Sequence, residues 1–260
     1  MPRLHVFEFE DQPWFPATIR GYMTDYLDFT ASLNSIPFEA LATRMAQVLK
    51  RTGDRTLVDL CSGAGGPLPQ LTKLLREKQG MEVKGVLTDL YPNPRAHERV
   101  GTEHPDIEFW PDPVDATSVP SRLQGVRTMF NSFHHFRPEV GRKILEDAAR
   151  SRQGILVYEL VGRSFFGFFS VFMLLLAMPL LTPFMKPRLW TRFLFTYVIP
   201  IVPLFLFWDG MVSCLRVYSP QELNRLTESI NVPGYTWEVG RMPFAKGPGA
   251  ATYVIGMPIP

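Results

Sequence analysis

Short apolar runs alternate with helical patterns through the middle of the chain, between residues 56 and 158. Each run is a few residues long and ends at a polar or small residue, which is typical of the buried strands of a parallel sheet. Apolar residues at three- and four-residue spacing between the runs predict helices. The predicted strands are 56–60, 82–88, 107–110, 125–131 and 154–158, and the predicted helices are 68–79, 94–101 and 138–152.

This alternation predicts an α/β fold, in which a mostly parallel sheet carries helices on both faces. A helix over 219–230 follows near the end of the chain and starts with a capping box formed by Ser219 and Glu222. Two last strands are predicted at 235–239 and 251–255. With these two the sheet has seven strands, and its ligand is expected beyond the carboxyl ends of the parallel strands.

Residues 165 to 208 interrupt this pattern, because they contain no acidic residue and only three basic ones, Lys186, Arg188 and Arg192. Two apolar stretches, 165–185 and 193–208, flank the basic cluster. The first is about long enough to span a bilayer, and the second is somewhat short. Prolines in both stretches predict kinked or broken helices.

A monotopic arrangement is the favoured interpretation of this apolar helical hairpin. Kinked helices would dip into one leaflet, and the basic loop would meet lipid head groups. A spanning hairpin is the second interpretation, but it places three cations on the far side of the membrane, against the usual charge bias. A third interpretation is that the two helices are buried, or form oligomer contacts, in a soluble enzyme.

Composition and charge exclude some classes of protein. The 260 residues carry a net charge of +2, so no global field favours nucleic acid. The two cysteines lie far apart in the sequence, which argues against a disulfide framework and suits a reducing compartment. No long apolar run stands at the N-terminus, so a cleaved secretory signal is not expected.

The stretch from Leu57 to Pro67 carries the most informative motif. An apolar run ends at Asp59, a turn of small residues follows, and a helical pattern begins near Leu68. Glycines in such a strand–turn–helix context let the backbone approach a ligand closely. The spacing is D-x-x-x-G-x-G, made by Asp59, Gly63 and Gly65, and not the G-x-G-x-x-G of dinucleotide dehydrogenases.

This stretch resembles motif I of the class I S-adenosylmethionine (SAM)-dependent methyltransferases, a family with a Rossmann-like fold. The resemblance covers about residues 57–160 and resumes over 219–255. It implies that SAM is the cofactor and that the loop with Ser62, Gly63 and Gly65 lies under its methionine part, with Asp59 close by. The chain departs from the family at Cys61, where a first glycine is common; Cys61 is small enough to be tolerated.

The resemblance also implies residues for the rest of the cofactor. Asp89, with Leu90 after it, closes the second strand, where a carboxylate can accept hydrogen bonds from both ribose hydroxyls. It could instead simply end the strand. Asp115 and Ala116 stand where the family places an acidic residue for the adenine amino group and a small neighbour beside the ring, with Asp112 as a rival. Asn131 at the end of the fourth strand completes the predicted cofactor site.

The segment from Asn131 to Phe136 carries the candidate catalytic residues His134 and His135. In the resembled family this segment faces the transferring methyl group. A histidine there could take a proton from a hydroxyl, amine or thiol. On a strand, adjacent side chains point to opposite sides, so at most one histidine should face the site, His134 by preference. The alternative is that one histidine packs in the core and the other is solvated. Glu159 either orients the acceptor or ends its strand.

No metal site is predicted, because neither a cysteine nor an acidic residue stands at ligand spacing from the two histidines. In the methyl transfer that the resemblance implies, alignment of donor and acceptor supplies much of the rate.

The N-terminal region contains aromatic residues between positions 7 and 29 and two helical patterns, 16–33 and 37–50. Packing on the core is one interpretation of such an aromatic stripe. In the resembled family, N-terminal extensions often cover the cofactor, which is the other interpretation. We divide the chain into an N-terminal helical lid (1–55), a SAM-binding core (56–160), a membrane-associating insertion (161–210) and a C-terminal completion of the core (211–260).

Taken together, these features predict a methyltransferase that acts at a membrane surface on a lipid or another hydrophobic small molecule, with its catalytic domain in the cytoplasm and without nucleic acid. The alternative is a membrane-anchored SAM-binding protein with non-methylating chemistry or a sensing role.

Overall fold

The computed structural model describes residues 1–33, 36–63, 65–92, 100–244 and 249–259, without the side chains of residues 36 and 37. Its helices are α1 (Ala17–Ser32), α2 (Ile36–Thr52), α3 (Leu68–Gln79), α4 (Pro138–Arg150), α5 (Phe165–Leu181), α6 (Trp190–Phe193), α7 (Ile201–Arg216) and α8 (Pro220–Glu228). Its strands are β1 (Thr56–Asp59), β2 (Lys84–Leu87), β3 (Ile107–Phe109), β4 (Val126–Phe130), β5 (Ile155–Glu159), β6 (Tyr235–Pro243) and β7 (Ala250–Pro258). Most of the predicted helix 94–101 lies outside the described residues.

The seven strands form one sheet in the order β3-β2-β1-β4-β5-β7-β6. The first five strands pair in parallel, and β7 is antiparallel to both β5 and β6. The predicted seven-stranded, mostly parallel sheet is therefore confirmed. Since β1 lies between β2 and β4, the chain order reverses there, and a crevice is expected at the carboxyl ends of β1 and β4.

Helices cover both faces of the sheet, as predicted. On one face, apolar residues of α2 and α3 pack against Leu57, Leu156 and Ile255 of the strands. On the other face, residues of α4 and α8 pack against Val58, Val157 and Val254. Alternate residues of the same strands thus point to opposite cores, as the two-residue period of a strand requires.

A third apolar cluster lies apart from the sheet and joins the N-terminal region to the insertion. It contains Phe15, Ile19, Tyr22, Met23 and Tyr26 together with Met178, Met185, Val202 and Leu206. The aromatic stripe of α1 therefore packs on α5 and α7. The Tyr26 hydroxyl also donates to the Leu174 carbonyl at 3.0 Å. Neither interpretation of the stripe predicted that it packs against the insertion. α1 and the insertion helices form a common layer.

The insertion is a hairpin of helices, as predicted, but its second arm differs in shape. After α6 a π-helical turn (Leu194–Val198) precedes α7, and the two parts of this arm meet at an angle of 73°. α7 then continues to Arg216, so the predicted boundary at residue 210 falls inside a helix. Gly210 permits the close approach of the two arms, because a Cβ there would lie 2.9 Å from Val171 Cγ1.

One side of the insertion, which we call the apolar face, points outward. On α5 it consists of residues at helical spacing, opposite the buried Gly167, Val171 and Met178. Its exposed members are Phe165, Phe166, Phe169, Phe172, Met173, Leu176 and Leu180 on α5, and Trp190, Tyr197, Val198, Ile199, Leu204 and Trp208 on the second arm. Singly exposed apolar residues are ordinary, but a contiguous surface of this kind marks an interaction site.

Within the described residues, one helix, Phe165–Phe184, has the length and composition to cross a membrane, with a mean hydropathy of 2.2. The bent pair Trp190–Val198 and Ile201–Arg216 is long and apolar enough only when its two parts are taken together. Of the three basic residues between the arms, Lys186 and Arg188 are exposed. Arg192 is buried and forms an ion pair with Asp25 of α1. The expectation that all three cations meet lipid head groups is therefore wrong for Arg192, which holds α1 to the insertion.

Candidate functional site

The loop after β1 has the backbone geometry that its glycines suggested. Cys61, Gly63, Gly65 and Gly66 all have positive φ, at 57°, 57°, 118° and 47°. A Cβ on Gly65 would lie 2.9 Å from Val100 Cγ2, so this glycine cannot be replaced without a shift. Cys61 occupies a left-handed conformation that costs a non-glycine residue about 1–2 kcal/mol. This geometry explains why glycine is favoured at its position.

Asp89 follows β2 and supports this loop directly. Its Oδ2 accepts from the Gly63 N–H at 2.9 Å, and its Oδ1 accepts from the Tyr91 N–H at 2.9 Å. Because each carboxylate oxygen can accept more than one hydrogen bond, capacity remains for a ligand. Leu90 beside it is partly exposed. Asp89 is therefore at the predicted place, and its contact with a ribose stays a prediction.

Asp59 ends β1 but lies beneath the loop. It is 1% exposed, and its Oδ1 accepts from the Thr128 hydroxyl of β4 at 2.6 Å. Burial and, to a smaller extent, the nearby charge of Asp89 raise the pKa of Asp59 to about 8, although the Thr128 hydrogen bond opposes this rise. Asp59 is thus protonated at neutral pH and joins β1 to β4.

The residues predicted for the adenine and for the end of β4 are placed by local hydrogen bonds. Asp115 Oδ1 accepts from both the backbone N–H and the hydroxyl of Thr117, so this carboxylate organises its own turn, and Ala116 is buried behind it. The rival Asp112 pairs with Arg122 on the surface. Asn131 has φ 49°, and its Oδ1 accepts from the Leu160 N–H at 2.8 Å, which ties the ends of β4 and β5 together.

His134 and Glu159 form a buried pair at the ends of β4 and β5. Glu159 Oε1 accepts from the His134 backbone N–H at 3.1 Å, and Glu159 Oε2 accepts from His134 Nδ1 at 2.8 Å. This arrangement places the ring proton on Nδ1 and leaves the lone pair on Nε2. His134 Nε2 is buried and has no hydrogen-bond partner among the residues that the structure describes. Glu159 thus orients the histidine, a role that was not among the two weighed for it, and its contact with an acceptor stays a prediction.

His135 lies beside His134, with 4.4 Å between the ring centroids. The sequence argument placed these residues on a strand, where their side chains would diverge. Phe133–His135 is instead a 3-10 turn, so that exclusion does not hold. His135 Nδ1 donates to Asp11 Oδ1 at 2.8 Å. Burial alone would lower the pKa of His135, but this hydrogen bond and the charges of Glu8 and Asp11 raise it to about 9.

Glu8, Asp11 and Arg216 are site residues that the sequence analysis missed. Glu8 is buried, with its Oε1 4.0 Å from His134 Nε2 and its Oε2 3.2 Å from His135 Nδ1. Arg216 Nη1 lies 3.3 Å from Glu8 Oε1 and 2.6 Å from Asp11 Oδ2. More than 120 residues separate these partners in the sequence, and no local spacing connects them.

The same cluster bears on the metal question. Ligand atoms of Glu8, His134 and His135 lie within 4.8 Å of one another. The argument against a metal rested on residues near the histidines in sequence, and the fold supplies an acidic partner that the argument did not consider. Arg216, however, already brings a positive charge to Glu8, and His135 is protonated at neutral pH. The cluster is accounted for by these charges, and we assign it no metal.

Polar groups without partners point to a polar ligand at this edge of the sheet. Within the described part of the chain, the hydroxyls of Ser62 and Ser132 and the indole N–H of Trp110 are buried without a hydrogen bond. They follow β1, β4 and β3, whose carboxyl ends lie at one edge. Buried polar groups are normally satisfied, so these donors and acceptors fit a ligand as rich in polar atoms as SAM. Ser132 was not predicted.

A cavity of about 630 Å³ adjoins the loop. It lies between Phe29 and Ser32 of α1, Gly65 and Gly66 of the loop, and the segment 184–187 of the insertion. A side chain added at Gly63 would point toward α1, because its Cβ would lie 3.9 Å from Thr24 Cγ2. α1 thus stands over the loop, and its action as a lid stays a prediction.

Solved structures with the same architecture are SAM-dependent methyltransferases. The plantazolicin methyltransferase BpumL, solved with S-adenosylhomocysteine, superposes with a TM-score of 0.61 at 12% identity over 97% of this chain and 94% of that one. Human N-acetylserotonin methyltransferase, solved with SAM, gives 0.53 at 14% identity over 96% and 60%. A SAM-dependent methyltransferase from Aquifex aeolicus gives 0.50 at 17% identity over 92% and 98%.

The fold is that of the class I SAM-dependent methyltransferases. No protein-family model matches the sequence, and no curated protein matches it either. The predicted fold class is confirmed, and the predicted cofactor agrees with the ligands of two of these neighbours. At such low identity the likeness concerns the fold, so the roles of individual residues rest on the geometry described above.

Asp59→Asn tests the buried carboxyl. In the unfolded chain Asp59 ionises near pH 3.9, whereas in the fold it keeps its proton up to about pH 8, so it destabilises the fold increasingly between these values. Asparagine retains the acceptor for Thr128 and cannot ionise. We expect Asp59→Asn to increase the free energy of unfolding at pH 8 by at least about 1 kcal/mol, since one pKa unit corresponds to ~1.36 kcal/mol. At pH 4 the gain should vanish.

Urea unfolding of the wild type and the variant at both pH values measures this difference. Asp112→Asn, which changes an exposed carboxylate, is the control and should show little change at either pH. An equal effect of Asp59→Asn at pH 4 and pH 8 would show that Asp59 is ionised in the fold.

Proposed function

We propose that the chain is a SAM-dependent methyltransferase that acts at a membrane surface on a lipid or another hydrophobic small molecule, with its catalytic part on the cytoplasmic side. The observation that carries the proposal is the set of polar groups at the carboxyl ends of β1 to β4, in a fold whose solved neighbours are methyltransferases. SAM would supply an electrophilic methyl group, and the chain would supply orientation and proton removal.

The donor site is built from the loop and two strand ends. The loop backbone and the Ser62 hydroxyl would hold the methionine part, and Asp89 would accept from the ribose. Asp115 and Ala116 would border the adenine. Asn131, whose Oδ1 is used by Leu160 N–H, keeps its amide N–H groups for the cofactor. Ser132, with its unpartnered hydroxyl, joins this set.

His134 is the proposed general base. Glu159 fixes its ring through Nδ1, as the orienting carboxylate of a catalytic pair does, so that Nε2 can take a proton from the acceptor. His135 is a poor base at neutral pH, because its raised pKa keeps it protonated. Glu8 lies 4.0 Å from Nε2, and the acceptor can reach that atom only when the N-terminal segment moves away from it.

The apolar face supports action at a membrane. No acidic residue interrupts residues 165–208, and Lys186 and Arg188 stand exposed at one end of the face, where lipid phosphates would lie. The C-terminal half of α7 argues against a spanning hairpin. Asp209 accepts from the Phe9 and Glu10 N–H groups, and Arg216 binds Asp11, so this half is held within the protein. These contacts favour the monotopic arrangement in this proposal.

Transfer of label from methyl-labelled SAM into a membrane extract tests the proposed reaction. We expect label in a lipid-soluble product, identified by mass spectrometry.

Gly63→Arg should abolish SAM binding in calorimetry, since the long side chain would fill the space between the loop and α1. Gly21→Arg on α1, where a Cβ meets nothing within 4 Å, is the control. Tight SAM binding without any labelled product would favour the sensing alternative, and unchanged affinity in Gly63→Arg would mean that the loop has another role.

His134→Gln tests the base. Glutamine keeps a polar side chain of similar length but cannot take up a proton, and we expect kcat to fall by about 10²-fold or more, with little change in SAM affinity. His135→Gln is the matched comparison and should affect kcat much less. Equal losses of kcat in the two variants would exclude His134 as the base.

Sedimentation with vesicles tests the membrane proposal. The wild type should pellet with vesicles that contain anionic lipid and should remain in solution when no vesicles are added. Serine at Phe169, Phe172 and Leu176 together should release it, because each lost apolar side chain removes up to about 2–3 kcal/mol of transfer free energy. Lys186→Glu with Arg188→Glu should weaken binding to anionic but not to neutral vesicles. A protein that ignores both kinds of vesicle, or that covers the face by forming a dimer in size-exclusion chromatography, would contradict the proposal.

A further inference from the structure

A second cavity, of about 480 Å³, lies at the same edge of the sheet as His134 and Glu159. It is bordered by the segment after β5, the start of α5, the end of α7 and the ends of β6 and β7. Its size is within the range of small-molecule sites. It contacts the histidine turn through Tyr218, which lines the cavity and whose hydroxyl donates to the Phe136 carbonyl at 2.6 Å.

Strand register places this cavity beside the proposed base. Glu159 of β5 is the partner of Thr252 in β7, and Thr252 is the partner of Arg241 in β6. Directly opposite residues of antiparallel strands point to the same face, so these three side chains form one row on the face that carries His134. Two strand spacings separate the ends of the row, about 10 Å. Thr252 and Arg241 both line the cavity.

Of the two arginines that line the cavity, one has no partner among the described residues. Arg163 is almost fully buried, and its guanidinium is bonded to both oxygens of Glu222, so this pair is neutral. Arg241 is exposed and makes no ion pair or hydrogen bond with any residue in the described ranges. The Arg241 guanidinium therefore belongs to the cavity lining without a described counter-charge, on the row that leads to Glu159.

Part of the remaining lining of the cavity is apolar and continuous with the insertion. Leu160, Val217 and Phe244 line it together with Phe166 at the start of α5. Phe166 is also 50% exposed and belongs to the apolar face. A molecule can thus lie with a hydrocarbon part along the apolar face while a polar end enters the cavity.

We propose that this cavity is the acceptor site and that Arg241 binds an acidic group of the acceptor, either a carboxylate or a phosphate, on an amphiphilic molecule. This inference rests on the proposed function, because it names the class of molecule that receives the methyl group. Guanidinium groups bind both acids through paired, charge-assisted hydrogen bonds. The acidic group is then held about two strand spacings from Glu159, which leaves the atom to be methylated near His134.

Binding of three probes that share one chain length tests this site. Decanoate, decyl phosphate and decanol are titrated below their micelle concentrations into the full-length protein, and binding is followed by calorimetry. We expect both acids to bind at least about 10-fold more tightly than decanol, in line with a charge-assisted hydrogen bond. The better of the two acids identifies the head group as carboxylate or phosphate.

Arg241→Ala should remove this preference and leave decanol binding unchanged, and Arg241→Lys should retain part of it. Arg225→Ala, which removes an exposed arginine of α8 outside the cavity, should behave as the wild type. Acids that bind no better than decanol, or that keep their advantage in Arg241→Ala, overturn the assignment. SAM affinity measured on the same samples separates the two proposals. If the wild type binds SAM but shows no preference for acids, only the acceptor-site proposal is rejected. If the wild type does not bind SAM, the proposed function is rejected.

Discussion

Arg216 is the residue on which the arrangement around the candidate site depends. Its guanidinium binds Asp11, approaches Glu8 and donates to the Val6 carbonyl, and its own carbonyl accepts from Arg3. A buried carboxylate such as Glu8 is costly without an opposite charge. Because Arg216 ends α7, the cation that permits this burial is delivered by the insertion. The N-terminal segment, the insertion and the histidine turn are thereby held as one unit.

This unit relates the outer surface to the site. Along the N-terminal segment Phe7 is exposed and packs against Trp208 of the apolar face, whereas the next residue, Glu8, is buried beside both histidines. A surface that engages Phe7 and Trp208 therefore touches the segment that covers His134. In the proposed enzyme, the face that meets lipid and the path of the acceptor to the base are built from the same elements, and the donor site is formed separately by the sheet.

Much of the fold was predictable, because the parallel strands are largely buried, β4 and β5 at every position, and each is read as a mainly apolar run of the right length. The loop was also predictable, because the positive φ angles at Gly63 and Gly65 favour glycine and the glycines are visible in the local sequence. The histidines were not placed correctly from the sequence. Treating His134 and His135 as strand residues gave the wrong relation between their rings, because the 3-10 turn that follows β4 has no pattern of its own in three residues.

The sequence alone determined the order of strands and helices, the loop after β1, the carboxylate at Asp89 and the apolar insertion, because these depend on neighbours within a few residues. Only the tertiary structure decided what each buried charge contacts. Glu8 and Arg216 are 208 positions apart by subtraction of their numbers, and Glu159 and Arg241 are aligned only through the register of β7. These charges are buried where partners that are distant in the sequence come together, and such partners form no local motif that could be recognised in the sequence.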